Sequence, residues 1–272
     1  MTTAATTFTP TQVSRRRKTV LRPVRDALAI AARNLIAYRR VPQLLVFSTV
    51  QPVIFVLLFR YVFGGAVASI PGIPYVDYLI PGIFVQTTVF GVIAAAIGLA
   101  TDLKSGLLER FRSLPMARSA VLVGRTIADL SRNVFVVALM AAVGFAVGFR
   151  VHTNAWAFLA SLLLVRAFGY AMSWIFATVG LAVGDPETAQ AAAFPVMAPL
   201  VFASSVFIPV RTMPGWLQPF AEHQPVSVTA SAVRALAIGG PTASDVLQSL
   251  AWDAGILVIF APIAVWLYRR AV

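Results

Sequence analysis

The sequence contains no cysteine, which removes disulfides, thiolate metal sites and cysteine nucleophiles at a stroke. Charge is scarce: Asp, Glu, Lys and Arg make up 12% of the chain, against about 25% in an ordinary soluble domain. Acidic side chains number only 10, and none is read at the middle of an apolar run, where an ion-coupled carrier would need one. The histidines are His152 and His223, and neither has clustered ligands nearby. Simple exposure is therefore expected of both rather than a metal centre. There is no G-x-x-x-x-G-K-[ST], no H-E-x-x-H and no G-x-S-x-G. A nucleotide-cradling loop, a zinc protease helix and a nucleophile elbow are thereby excluded. Catalytic residues, cofactor ligands and metal ligands are expected to be none.

What the sequence has instead is apolar length. Of its 272 residues, 59% are hydrophobic, and the mean hydropathy is +0.83. These residues fall in runs near the roughly 20 residues that cross about 30 Å of hydrocarbon. Six such spans can be read: Leu44 to Phe63, Tyr78 to Ala100, Val121 to Phe149, Ala155 to Val183, Thr188 to Pro209 and Val246 to Tyr268. Gly184-Asp185-Pro186-Glu187 is a tight turn between the fourth and fifth. Met1 to Gln12 is rich in Thr and Ala, Arg15-Arg16-Arg17-Lys18 follows, and no short apolar run with a cleavage site comes next. No signal peptide is expected there, and residues 1–20 read as a disordered tail. From Leu21 to Arg40, Leu21, Val24, Leu28, Ala31, Leu35 and Tyr38 recur at spacings of three and four, with arginines on the other faces. That is an amphipathic helix, lying on a membrane surface or packing as a short soluble helix.

The net charge of +12 is placed beside the apolar runs rather than spread over a surface, which disfavours nucleic acid as a partner. Nine basic residues precede the first span, six lie between Lys104 and Arg132, and two end the chain. The intervening loops on the other side hold only Arg150, Arg211 and Arg234. The positive-inside rule then puts both termini in the cytoplasm of a multi-pass plasma-membrane protein. Arg166 is a charge near the middle of the fourth apolar run. It is either a functional group or a residue paired to a neighbouring helix. Arg125, Asp129 and Arg132 share a helical face and read as a structural ion-pair rail. Gly144-x-x-x-Gly148 and Gly180-x-x-x-Gly184 would let helices approach closely. Pro195, Pro199 and Pro209 should bend the fifth span.

Two segments carry a family resemblance. The first is Asp102-Leu-Lys-Ser-Gly-Leu-Leu-Glu-Arg-Phe-Arg-Ser-Leu-Pro-Met-Ala-Arg118, with Gly106, Glu109, Arg110, Leu114 and Pro115 at the positions that count. The second is Phe207-Ile-Pro-Val-Arg-Thr-Met-Pro-Gly-Trp-Leu-Gln-Pro219, followed by Glu222-His-Gln-Pro225 and Arg234-Ala-Leu. In this order the chain from Leu21 onward resembles the ABC-2 type export permeases, particularly the daunorubicin-resistance type.

The resemblance implies an all-α membrane protein of type V exporter-like architecture. It would have six transmembrane helices, an N-terminal amphipathic interfacial helix, a cytoplasmic coupling helix and an outer-leaflet re-entrant segment, all within residues 21–272. It implies a permease subunit of an ATP-driven exporter for drugs, lipids or lipid-like natural products, with polysaccharide or glycolipid export as the alternative. Two separate ABC ATPase subunits would bind ATP and magnesium, and a second permease, identical or homologous, would complete the pathway. Leu107, Leu108, Phe111 and Leu114 make an apolar edge beside Glu109 and Arg110. That edge either docks an ATPase or rests on lipid headgroups. Gln51, Phe55, Gln86, Thr87, Thr88 and Phe90 are candidates for the translocation path, or for ordinary contacts between helices. Pro214 and Trp216 belong to a candidate outer lid, together with a helix expected from Val226 to Ile238 and closed by Gly239-Gly240.

Overall fold

The computed structural model describes residues 42–64, 72–105 and 134–271. The tail at 1–20, the Leu21 to Arg40 helix, the coupling residues Gly106, Leu107, Leu108, Glu109, Arg110, Phe111, Leu114 and Pro115, and the Arg125–Asp129–Arg132 rail lie outside the described residues. Within them every regular element is helical. Helix α1 is Pro42–Leu57, prolonged by a π-helical turn over Leu58–Val62. Helix α2 is Tyr75–Lys104, and α3 covers Val134–Ala146. Helix α4 is Ala155–Val183 and α5 is Pro186–Phe202. After a 3-10 turn at Val210–Thr212 come α6 (Gln218–His223), α7 (Pro225–Ile238) and α8 (Thr242–Ala271).

Local chemistry sets these boundaries. Asn154 caps α4 by accepting the Ala157 N–H at 2.7 Å. Gly184 ends α4 at φ +73, a left-handed residue that glycine adopts without steric cost. The next residue, Asp185, caps α5 by accepting the Thr188 N–H at 3.0 Å, and Pro186 takes the first helical position, where a missing N–H does no harm. A short turn thus separates two helices, as the sequence reading expected. The fifth apolar run departs from that reading. Its helix stops at Phe202 instead of continuing to Pro209, because Pro195 and Pro199 weaken the backbone ladder of its last turns.

Helix α2 occupies the centre, with α4, α5 and α7 packed around it, while α8 lies against α4 and α7. The apolar window of α2 is 61% buried inside the chain and that of α8 only 17%. Val258, Ile259, Leu247 and Trp266 of α8 are left exposed, as a helix facing lipid requires. Three helices among the described residues are long and apolar enough to cross a membrane: α2, α4 and α8. The apolar stretches at Thr49–Val62, Val134–Ala146 and Pro225–Ile238 are shorter.

The two small-residue motifs divide their labour. Gly144 and Gly180 are close-packing positions: a Cβ on Gly144 would meet Ile80 Cγ2 at 2.8 Å, and one on Gly180 would collide with the Ala96 carbonyl. Gly148 and Gly184 instead turn the chain at φ +104 and +73. Replacing Gly180 with leucine should therefore force α2 and α4 apart, at a cost of about 1–3 kcal/mol or more. A melting temperature of the detergent-solubilised variant equal to the parent's would show that this contact is not tight.

Candidate functional site

The break after Phe202 leaves backbone groups without helical partners in apolar surroundings, where each must be satisfied from within the protein. Side chains from other parts of the bundle do this. The Tyr78 hydroxyl donates to the Ser205 carbonyl at 2.7 Å and the Tyr75 hydroxyl to the Phe207 carbonyl at 2.9 Å. The Ser205 N–H donates to Ser227 Oγ at 2.9 Å, and Gln224 Nε2 donates to the Leu200 carbonyl at 2.9 Å. Arg234 of α7 is the hub. Its Nη2 donates to the carbonyls of Ser205 (2.6 Å) and Val206 (3.0 Å), its Nη1 to Ser205 Oγ (3.2 Å), and its Nε to the Tyr78 carbonyl (2.8 Å). The guanidinium also lies 3.7 Å from the centre of the Tyr78 ring. Gly82, one turn beyond Tyr78, leaves the space: a Cβ there would meet the Val206 carbonyl and approach Arg234 Nη2 to 2.9 Å. The positive charge sits where the α5 carbonyls end, so the helix dipole favours it.

Arg234 is buried, which corrects its reading as one of the basic residues of the outer segments. Its neighbours Tyr75, Tyr78 and Gly82 also escaped the sequence reading. A signal existed: the three lie on one face of α2 at spacings of three and four, and Arg234 is the only charge in an otherwise apolar helix.

Beside this hub lies a slab of phenyl rings. Phe59 stacks on Phe207 at 4.3 Å with an interplanar angle of 9°. Phe55 packs against Phe59, Phe207 and Phe90, and Phe63 and Phe202 extend the slab. The structure therefore brings Phe55 and Phe90 together, at 6.3 Å between centroids. Gln51, one turn before Phe55 on the same face of α1, is exposed. Gln86, Thr87 and Thr88 turn into the bundle and are buried. Thr88 donates to the Phe84 carbonyl at 2.9 Å, whereas both polar atoms of the Gln86 amide and the Thr87 hydroxyl have no hydrogen-bond partner among the described residues.

His152 is not merely exposed. Its Nε2 lies 2.8 Å from Asp77 Oδ2, and the Arg150 N–H donates to Asp77 Oδ1 at 2.9 Å. The His152 N–H donates in turn to the Ala237 carbonyl at 3.0 Å. The start of α2, the chain before α4 and the end of α7 are thus tied together. His223 is exposed, with Nδ1 at 3.0 Å from the Pro219 carbonyl. Arg166 is half-buried on α4. It lies on the face that Gly180 turns toward α2, since fourteen residues bring a helix close to the same angle. Trp216 is 80% exposed. The Pro214 carbonyl accepts the Leu217 N–H at 2.9 Å, closing the turn on which Trp216 sits.

At the opposite end, Lys104 in the last turn of α2 pairs with Asp185 at 2.6 Å. The bond from Lys104 and the two from Thr188 hold the Asp185 carboxyl down at about 2. Both side chains are solvent-facing, so screening limits what the pair adds to stability. Its geometric consequence is larger: it ties the α4–α5 turn to the last turn of α2, two residues before the Gly106 to Pro115 segment.

Long lipid-facing helices around a broken helix held by buried polar groups define a multi-pass helical membrane protein. Residues 25–238 match the ABC-2 type transporter family, and the chain belongs to that family. It is 34% identical to the daunorubicin resistance ABC transporter permease protein DrrB1 of Streptomyces coeruleorubidus, over 99% of this chain and 98% of that protein. It is 32% identical to the doxorubicin resistance ABC transporter permease protein DrrB of Mycobacterium tuberculosis, covering 87% and 84% of the two chains. The probable doxorubicin resistance permease DrrC of the same species is 31% identical over 82% and 81%.

Proposed function

We propose that this chain is the transmembrane permease subunit of an ATP-driven exporter for hydrophobic or amphiphilic compounds. The observation that carries this reading is the likeness, along nearly its whole length, to permeases named for daunorubicin and doxorubicin resistance. The chain has no P-loop, so ATP and magnesium are bound by a partner ABC ATPase, in two copies, which docks on the Gly106 to Pro115 segment. A second permease, identical or homologous, faces the first across the pathway.

Six spans with both termini in the cytoplasm accord with the distribution of basic residues. The Lys104–Asp185 end is then cytoplasmic and the Asp77–His152 end external. Helix α7 begins beside Leu200 and Ser205 and ends beside His152. In that orientation it dips from the outer face, and with Pro214 and Trp216 it forms the external lid. Gln51, Phe55 and Phe90 line the path, where apolar and aromatic surface with sparse polar groups suits amphiphilic cargo. Gln86, Thr87 and Thr88 border it once the bundle opens.

Co-reconstitution with the ATPase encoded beside it tests the reading. Doxorubicin should stimulate ATP hydrolysis severalfold and be exported. Stimulation by glycan-linked lipids with none by doxorubicin or other amphiphiles would move the chain to polysaccharide or glycolipid export.

A further inference from the structure

Asp253 lies in α8, a helix long and apolar enough to cross a membrane. It is 5% exposed, and neither carboxyl oxygen has a hydrogen-bond partner among the described residues. The residue falls inside the apolar run Val246 to Tyr268, toward its first half. The surroundings can be placed by register. Thr229 and Ser249 meet at 2.9 Å where the antiparallel α7 and α8 touch. Four residues further along each helix, Asp253 stands level with Pro225, the first residue of α7. Of the polar groups near that level, His223 and Gln248 line a cavity with Val228, Ala251 and Trp252 on the adjoining face of α8, and the others are committed elsewhere. The Thr229 and Ser249 hydroxyls bond each other. Gln224 Nε2 donates to the Leu200 carbonyl and to Ser227 Oγ, while its Oε1 accepts the Val226 N–H.

On α4 the register is set by Thr178, whose hydroxyl reaches the Phe260 carbonyl at 3.5 Å. Those helices run parallel, so Asp253 stands level with Ala171, which shares the face of Thr178. Arg166, the charge on α4, lies on the opposite face toward α2. Arg234 of α7 is clasped by the break. On α8 itself, Asp245 is two turns nearer one end, and Tyr268, Arg269 and Arg270 lie about 22 Å or more toward the other. Among the described residues no cation stands opposite the carboxyl. The N-terminal end of α7 stands at that depth, and its Val226 N–H is taken by Gln224.

We propose that Asp253 is a proton-binding site of the membrane domain, holding a proton in this conformation and exchanging it with water when the α4–α7–α8 seam opens during the transport cycle. A bare carboxylate buried between helices, with no donor or counter-charge among the described residues, is costly. A bound proton removes that charge without moving any helix. The O–H bond forms at one Asp253 oxygen as the seam closes, and breaks as the seam opens and water accepts the proton.

Infrared spectra of the purified chain in a detergent free of ester groups, recorded in H2O and D2O, test occupancy without any cargo. With only 10 acidic residues in the chain, one carboxyl band is resolvable. A protonated-carboxyl band at neutral pH that is absent from Asp253→Asn is expected. No such band would overturn the proposal. Exchange is read on the complex with its ATPase, using doxorubicin export between about pH 6 and pH 8. The rate should vary severalfold in the parent and flatten in Asp253→Asn. Parallel pH profiles in both would overturn the exchange, leaving a static proton. If doxorubicin is not a cargo, the infrared result stands or falls alone, and failure of the export reading is distinguishable from failure of this one.

Discussion

An Arg234→Lys variant should be destabilised on the order of 2–4 kcal/mol and should lose most transport. The guanidinium serves four acceptors from one plane, the carbonyls of Tyr78, Ser205 and Val206 and the Ser205 hydroxyl. An ammonium on a flexible stem cannot reproduce that fork. Each buried acceptor left bare costs about 1–3 kcal/mol, and lysine would leave at least one bare while keeping a charge in an apolar setting. Tyr78→Phe, which keeps the ring under the charge and removes only the hydroxyl bond to Ser205, should cost less. The two changes should combine non-additively, because both act on the Ser205 carbonyl. Thermal unfolding of the solubilised chain and export by the reconstituted complex are the measurements. A lysine variant that melts and exports like the parent would show that the break does not depend on the guanidinium geometry.

The second large effect belongs to the Gly106 to Pro115 segment. Replacing Leu107 and Leu108 with serine, and Glu109 and Arg110 with alanine, should weaken association with the ATPase a hundredfold or more. A buried hot-spot side chain contributes on the order of 2 kcal/mol, and about 1.4 kcal/mol is tenfold. The substitutions fall outside the apolar runs of the sequence, so membrane insertion and melting of the chain should be unchanged. Co-purification with the ATPase and cargo-stimulated hydrolysis are the readouts. An intact complex with intact hydrolysis would move the docking surface elsewhere and leave the segment on the lipid headgroups.

The start and end of α4, the start of α5 and the closure of α7 at Gly239 were readable because they depend on a few adjacent residues. Asn154, Asp185 and Gln224 cap the helices that begin after them, and Gly184 and Gly239 stop the helices that end before them. The end of α5 was not readable in the same way. Its prolines announced a bend, but whether the freed carbonyls of Ser205 and Phe207 find donors depends on residues more than a hundred positions away in α2, and that of Val206 on Arg234 in α7. The path candidates show the same limit. Their polarity was evident in the sequence, yet Gln51 faces outward while Gln86 and Thr87 face the interior. The facing is set by how α1 and α2 pack, which helical period alone does not decide.

The sequence by itself determined the solvent and the class. Apolar runs of spanning length, basic residues beside them and the Asp102 to Arg118 and Phe207 to Pro219 segments place the chain in a membrane and in its family, because these signals are local and additive. The tertiary structure alone decided which charges are partnered. Arg234 and His152 read as outer-segment residues and turned out to hold the bundle together, and Asp253 passed unnoticed in an apolar helix and turned out to be buried without a donor among the described residues. The fate of a charge depends on the donors and acceptors within about 3 Å of it, and in this chain those are supplied by other helices.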